Sequence, residues 1–426
     1  LCGTYTIGGS DGDFASFTEA ASVLNNAGVT CPVVFRVRDG VYEEQVSIND
    51  VPGNSLINTI TIEGESGDSS LVELRYDESN SILDYTLNIE GLKGVVIQDI
   101  GLYRGDNYQC LVISKSEQVL VQRSILAIHY HNRRSVVIGS NSKSIDVKSN
   151  SIQDYSSSGS EIRVEGEQVS GVTITGNSTI SRLEIRADYN KLGMSSIYVL
   201  DNTIAGDPYS SLIEVYSEAE EFQDILLGRN RIVYSSTSSP NPAISLNIFD
   251  YENSGKVGNV VVRENEIESQ QGYLRAYRLD SLLGNRLTGL SNTKGVELSY
   301  PSYVANNYIQ VGGIGTSQGI YLSEEADGST IVYNSINNTG TSRTGSICLQ
   351  VNGEVNDLTV KNNIFASTGG GRPVQIDQEI TGMDWDYNNY YSPSGEVGYY
   401  NETSYTTVNT FGAALGSDAN SLALNP

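Results

Sequence analysis

A row of polar side chains recurs beside short apolar pairs along much of this chain. Arg163, Glu184, Arg186, Glu214 and Tyr216 come first, and Asn247, Arg275, Tyr277, Glu297, Tyr321, Gln350, Gln375 and Asp377 follow. Residues of these types on one surface suit a long sugar polymer: aromatic faces stack on sugar rings, and charged groups bond hydroxyls. A carboxylate pair at the right separation hydrolyses a glycosidic bond. An arginine beside a tyrosine suits a lyase that removes a proton next to an acidic sugar's carboxylate. The expected ligand-binding set is Arg163, Glu184, Arg186, Glu214, Tyr216, Arg275, Tyr277, Glu297 and Tyr321. Catalysis would draw on Arg186, Arg275, Tyr277 or Glu214, but the leading expectation is that the chain has no catalytic residues. Periodicity alone makes such a row, because opposite charges on adjacent strands avoid repulsion without any ligand.

The row exists because of the segments that carry it. Glu161 to Val164, Leu183 to Arg186, Leu212 to Tyr216, Gly295 to Leu298, Gly319 to Leu322, Ser346 to Val351 and Pro373 to Asp377 each alternate apolar and polar residues. That period of two means a strand with one buried face. Ile162, Val164, Leu183 and Ile185 then point inward, and the row points out. About ten residues before each such strand stands a second phrase, as in Ile145-Asp146-Val147-Lys148-Ser149-Asn150-Ser151-Ile152. Its asparagine recurs as Asn150, Asn177, Asn202, Asn230, Asn265, Asn285, Asn307, Asn334, Asn363 and Asn388, while Ile100 and Ser124 hold the slot earlier. Neighbouring copies lie about 20 to 35 residues apart, a period that signals a solenoid.

Asparagine tolerates the left-handed backbone of a sharp corner. Stacked at about 4.8 Å per coil, its amides would also bond those above and below. The expected fold is therefore all-β: a single-stranded right-handed parallel β-helix of roughly 13 coils. Its asparagine corners would stand directly above one another in one coiled column. Residues 1–64 form an N-terminal cap and first coils, 65–391 the regular coils, and 392–426 a C-terminal cover and tail. Phe17 to Leu24 predicts a capping helix, with Ser16 and Glu19 as a capping box that helps protect the exposed first edge. Tyr405 to Leu415 reads as a cover, and Asp418 to Pro426 as a frayed end or linker.

The chain has 426 residues and a formal net charge of −25. That acidity argues against nucleic acid, whose affinity rests on Lys and Arg neutralising phosphates. No run of about twenty apolar residues exists, so membrane insertion is not expected. Of four cysteines, Cys2 and Cys31 flank the helical segment and could pair, whereas Cys110 and Cys348 are too far apart in coil number. No metal site is expected. His129 and His131, beside Arg133 and Arg134, read as an ordinary loop or strand edge. Calcium is a minor possibility at Asp11-Gly12-Asp13 and Glu324-Glu325-Ala326-Asp327-Gly328.

Asp11 to Ala20 and Val37 to Val46, with Ile60 to Gly64 and Val96 to Leu102, resemble the opening of pectin methylesterases over the first quarter of the chain. The resemblance implies the fold but not the activity. Gln109 falls loosely where that family has its first active-site glutamine, but the later catalytic stretches are replaced by Ala127 to Asn132 and Ser151 to Tyr155. The Gly-His-Gly signature of polygalacturonases is also missing. Gly3 to Gly9, Asp386 to Tyr391 and Asp418 to Ser421 look more like β-helical modules of bacterial secreted and surface proteins, including those exported by the type IX route. The absence of a leader before Leu1 reads as processing or excision.

These features lead to the expectation of an extracellular adhesive or structural module that takes a glycan or another cell-surface component as partner. The alternatives are a lyase or glycoside hydrolase acting on an acidic polysaccharide, and a self-associating filament subunit.

Overall fold

The computed structural model describes residues 1–77, 85–105, 109–128, 133–154, 160–178, 180–188, 193–206, 211–235, 241–250, 256–323 and 325–426. The contacts divide the chain into two compact units, Leu1–Pro208 with Tyr216–Gln223, and Tyr209–Val215 with Asp224–Pro426. Both wind as right-handed parallel β-helices, and together they account for about 13 coils.

Most regular coils carry three strands rather than the two that alternation reveals. In the first unit one coil runs Lys93–Gln98, Gly101–Arg104 and Gln109–Ser114; the next runs Glu117–Gln122, Ile125–Ile128 and Arg133–Ile138. Corresponding strands pair in parallel as the first, second and third sheets. The second-sheet strand follows the corner directly and is so short that only one or two of its residues face inward, which hides its period. Aliphatic residues stack in register: Val33, Ile60, Val95, Val119, Ile145, Val172 and Ile197 lie one above the other in the first sheet, all 0–1 % exposed. The second unit repeats the plan, for example with Tyr303–Ala305, Tyr308–Gly312 and Ser317–Leu322.

The asparagines form a buried ladder within each unit. Asn177 Oδ1 accepts from both the backbone N–H of Asn150 (3.0 Å) and its side-chain amide (3.1 Å), while Asn150 Nδ2 also donates to Val121 O in the preceding coil. Asn177 and Asn202 repeat the pattern, as do the successive pairs from Asn230 to Asn388 in the second unit.

The backbone role expected of asparagine belongs to its neighbour. The left-handed residue is the one just before it: Ser149 (φ 55°), Asp201 (57°), Arg229 (53°), Glu264 (56°), Asn306 (58°), Tyr333 (58°), Asn362 (57°) and Tyr387 (59°), with Gly176 and Gly284 at the same position. The asparagine itself turns inward to serve three coils. The strain of a non-glycine residue at positive φ is tolerated because the ladder on one side and the sheets on both over-determine the corner.

The N-terminal cap is a helix from Phe17 to Ala27, with Ser16 Oγ accepting from Glu19 N and Glu19 Oε2 accepting from Ala15 N. Glu44 adds a carboxylate to its N-terminus by accepting from the backbone of Phe17 and Thr18. Asn25 donates to Ser47 O and accepts from Asn49 N, so the helix covers the open edge of Val46–Asn49.

Cys2 and Cys31 form a disulfide across the outermost strand, and Cys110 and Cys348 are buried thiols. Replacing both bridged cysteines with serine is expected to weaken the cap by about 3 kcal/mol, as faster amide exchange in Gly3–Ile7 would report.

The C-terminal cover is a helix, Val408–Leu415, but the residues after it are not frayed. Asp418 N donates to Trp385 O and Tyr390 N to Leu422 O, so this segment adds an extra layer to the last coil. Beneath it Trp385 Nε1 donates to Tyr390 OH, which donates to Asp418 Oδ2. Burial pushes the Asp418 carboxyl up to about 6.

Candidate functional site on the third sheet

The third sheet carries the expected row, and in the first unit it brings Arg163, Glu184 and Arg186 together. Strands Ser160–Glu165 and Arg182–Ala187 pair so that Glu161 faces Arg182, Arg163 faces Glu184, and Glu165 faces Arg186. Arg163 reaches three carboxylates: Glu161 at 3.1 Å, Glu165 at 3.1 Å, and Glu184 in close contact. Arg182 approaches Glu161 at 3.8 Å and Glu184 at 3.6 Å, which closes a quartet of two guanidiniums and two carboxyls. Arg134 on the adjacent strand meets Glu165 at 3.5 Å. Arg186 pairs with Asp188 at 2.8 Å and lies 4.9 Å from the ring centre of Tyr216.

This patch is more than a row of outward charges in water. Glu161 and Glu184 are 7 % and 3 % exposed although both point away from the core. The arginine stems of their own and neighbouring coils lie over them, as long cationic side chains do when the head group finds a partner nearby. Burial, and then the hydrogen bond with Glu184, push the Glu161 carboxyl up to about 8. Glu161 therefore favours its protonated form more than an ordinary carboxyl does, because burial and a second carboxyl nearby both penalise its charge. Sequence reasoning named only Arg163, Glu184 and Arg186 of this group. Glu161, Glu165 and Arg182 stand two residues away on the same strands, so carrying the alternation one step further would have found them. Glu214, on strand Ile213–Ser217, is half-buried.

In the second unit the row is mixed. Arg275 stands opposite Glu297, and Glu297 opposite Tyr321, in register. Lys294 Nζ bonds Glu297 at 2.6 Å and lies 3.9 Å from the ring centre of Tyr321. Further along, Asp377 accepts from Gln350 (2.8 Å) and Gln375 (2.6 Å). Arg372 donates to Gln375 and to the buried Glu396, and its guanidinium carbon is 4.0 Å from the ring centre of Tyr399. Tyr277 is not in this row. It follows the strand Leu274–Ala276, where the chain turns, and its ring lies 4.7 Å from Phe249 and 5.7 Å from Tyr300. These three aromatics make a strip at coil spacing, with Arg278 5.4 Å from the Tyr300 ring and 3.5 Å from Asp250. Their sequence separations of 28 and 23 residues match the coil period and were the signal that could have found the strip.

Elsewhere, Asp11 pairs with Arg38, and Asp13 accepts from both Thr6 N and Thr6 Oγ1, so these carboxylates are engaged by the protein itself. Asp327 accepts from Asn356 N, while Glu324, His129 and His131 lie outside the described residues. Among the described residues no three metal-type ligands cluster.

No family model and no curated protein matches the chain. Among solved structures it is similar to pectin methylesterase from Aspergillus niger, with 14 % identity over 79 % of this chain and 85 % of that one and a TM-score of 0.28. It is also similar to the catalytic domain of a GH87 α-1,3-glucanase solved with tetrasaccharides, with 10 % identity over 99 % of this chain and 68 % of that one and a TM-score of 0.35. A GH136 lacto-N-biosidase from Eubacterium ramulus gives 10 % identity, the same coverages and a TM-score of 0.31. The architecture is a right-handed parallel β-helix. At this level of similarity the activities in those names belong to those proteins.

Proposed function

We propose that the chain is an extracellular glycan-binding β-helix, an adhesive or structural part of a cell surface or extracellular assembly that does not turn its ligand over. The observation that carries this reading is the outer side of the second unit. There the strip Phe249, Tyr277 and Tyr300 and the rings of Tyr321 and Tyr399 are set among amides and cations at coil spacing. Sugar rings stack on such faces, and the neighbouring amides and guanidiniums supply donors for hydroxyls.

The carboxylates argue for binding over hydrolysis. A glycosidase needs two carboxyls about 5 to 9.5 Å apart with the sugar or a water between them. Glu161 and Glu184 are instead both engaged by the Arg163 and Arg182 guanidiniums, and Glu297, Asp377 and Glu396 are each held by protein donors. The disulfide Cys2–Cys31 supports an oxidising compartment outside the cytosol.

Affinity electrophoresis through gels containing neutral and acidic polysaccharides tests the reading. Wild type should be retarded by at least one of them, and Tyr277→Ala should weaken binding by about tenfold, the loss of one well-stacked aromatic contact. No retardation by any polysaccharide, or release of shortened products by the purified chain, would overturn it. Growth of the particle with concentration in light scattering would favour a filament instead.

A further inference from the structure

The corner between second and third sheets in the second unit holds a hollow that the third-sheet face does not use. It has a volume of about 230 Å³ and is lined by Gly289, Leu290, Ser291, Gln310, Val311, Gly312, Gly313 and Thr339. No lining residue is charged. Among the described residues neither the Gln310 amide nor the Ser291 hydroxyl has a protein partner, and Thr339 Oγ1 makes only a 3.3 Å bond to Val311 O. Polar groups in a concave site without partners are available to a solute that carries its own donors and acceptors.

The hollow depends on glycine. A Cβ on Gly312 would stand 2.1 Å from Thr339 Oγ1, and one on Gly313 would stand 2.3 Å from Asn292 Oδ1 and 2.8 Å from Ser291 Oγ. Gly313 also has φ +113°, a conformation that side chains rarely adopt. Asn292 Oδ1 accepts from Gly315 N at 2.7 Å and so ties the loop 312–315 in place. This loop carries Ile314, an apolar side chain 87 % exposed, next in the chain to the lining residue Gly313.

From these features we infer that the hollow is a binding site for one neutral sugar ring. Gln310 and Ser291 would bond its hydroxyls, and Ile314 would cover its apolar face. The uncharged lining excludes ions as the favoured ligand. The volume lies below the range usual for drug-sized molecules, which limits the occupant to a single ring. The inference is independent of the third-sheet strip, which can fail without affecting it.

The test is a titration of the full chain, labelled at Ile, Leu and Val methyls, with glucose, galactose, mannose and N-acetylglucosamine in turn. At least one sugar should saturate in the millimolar range and move the methyl signals of Leu290, Val311 and Ile314 together. Gln310→Ala and Ser291→Ala should each weaken that binding by about fivefold, the loss of one net hydrogen bond. Gly313→Ala should abolish it, and unchanged methyl signals elsewhere would report an intact fold. Absence of saturation with all four sugars, or shifts confined to methyls remote from Ile314, would overturn the assignment, as would full affinity in both side-chain variants.

Discussion

Asn307→Ala should lower the stability of the chain by about 4 kcal/mol, read as a shift in the denaturant midpoint at constant slope. Asn307 Nδ2 donates to Leu282 O (2.9 Å), Ala305 O (3.0 Å) and Asn334 Oδ1 (2.9 Å). Its Oδ1 accepts from Asn285 N at 2.9 Å and from Asn285 Nδ2 at 3.1 Å. Alanine strands the Asn285 N–H and the Leu282 carbonyl in a site that is 1–2 % exposed at the two asparagines. Each buried group left unsatisfied costs about 1–3 kcal/mol, and the lost side-chain volume adds to this.

Serine at the same position should cost about half as much. Ser124 already occupies one rung, where its Oγ donates to Gln122 O and accepts from Ile100 N at 3.5 Å. Hydrogen exchange at the Asn285 amide supplies a local readout. If that amide stays as protected in the alanine variant as in wild type, the ladder is not what holds the corners.

The second large effect concerns pH. Wild-type stability should fall as pH rises from about 6.5 to 8, by up to about 1.4 kcal/mol per pH unit from Glu161 alone. The native carboxyl is pushed up to about 8 from an ordinary 4.5, so across this window the folded chain holds a proton that the unfolded chain has already lost. A carboxyl raised in this way contributes stability that is complete below its unfolded value and is lost as pH passes through its folded one. Asp418, raised to about 6, acts with the same sign but lower, which is why the window starts above it.

Glu161→Gln should flatten the slope across the window, because the amide cannot ionise. Arg163→Met should destabilise by about 3–5 kcal/mol at neutral pH, since it removes a guanidinium that serves Glu161, Glu165 and Glu184 together. Equal slopes for wild type and Glu161→Gln would show that Glu161 does not carry the proton.

The ladder and the quartet differ in how far they could be read beforehand. Asn150, Asn177 and their successors stand in a fixed slot after the same apolar pair, and a stacked fold is the arrangement that uses such a slot. Yet the left-handed residue is Ser149 or Tyr333, not the asparagine, because side-chain propensity for that backbone does not say which of two adjacent residues bends. The strand Gly101–Arg104 went unseen because four residues cannot display a period. Alternation gave the outward direction of Glu184 but not its burial, which is set by Arg163 and Arg182 reaching over it. Tyr277 belonged to the same outward series on paper, but its strand ends at Ala276 and the ring turns to Phe249 and Tyr300.

By itself the sequence determined the winding, its period, its aliphatic stacks and its asparagine corners. These repeat with the backbone geometry, and the same residue type at the same interval leaves few alternatives. Only the tertiary structure decided which polar residues are buried together, which rings meet at the corner, and where glycines leave a hollow. Those depend on the lengths and rotamers of side chains from neighbouring coils, and no spacing along one chain specifies them.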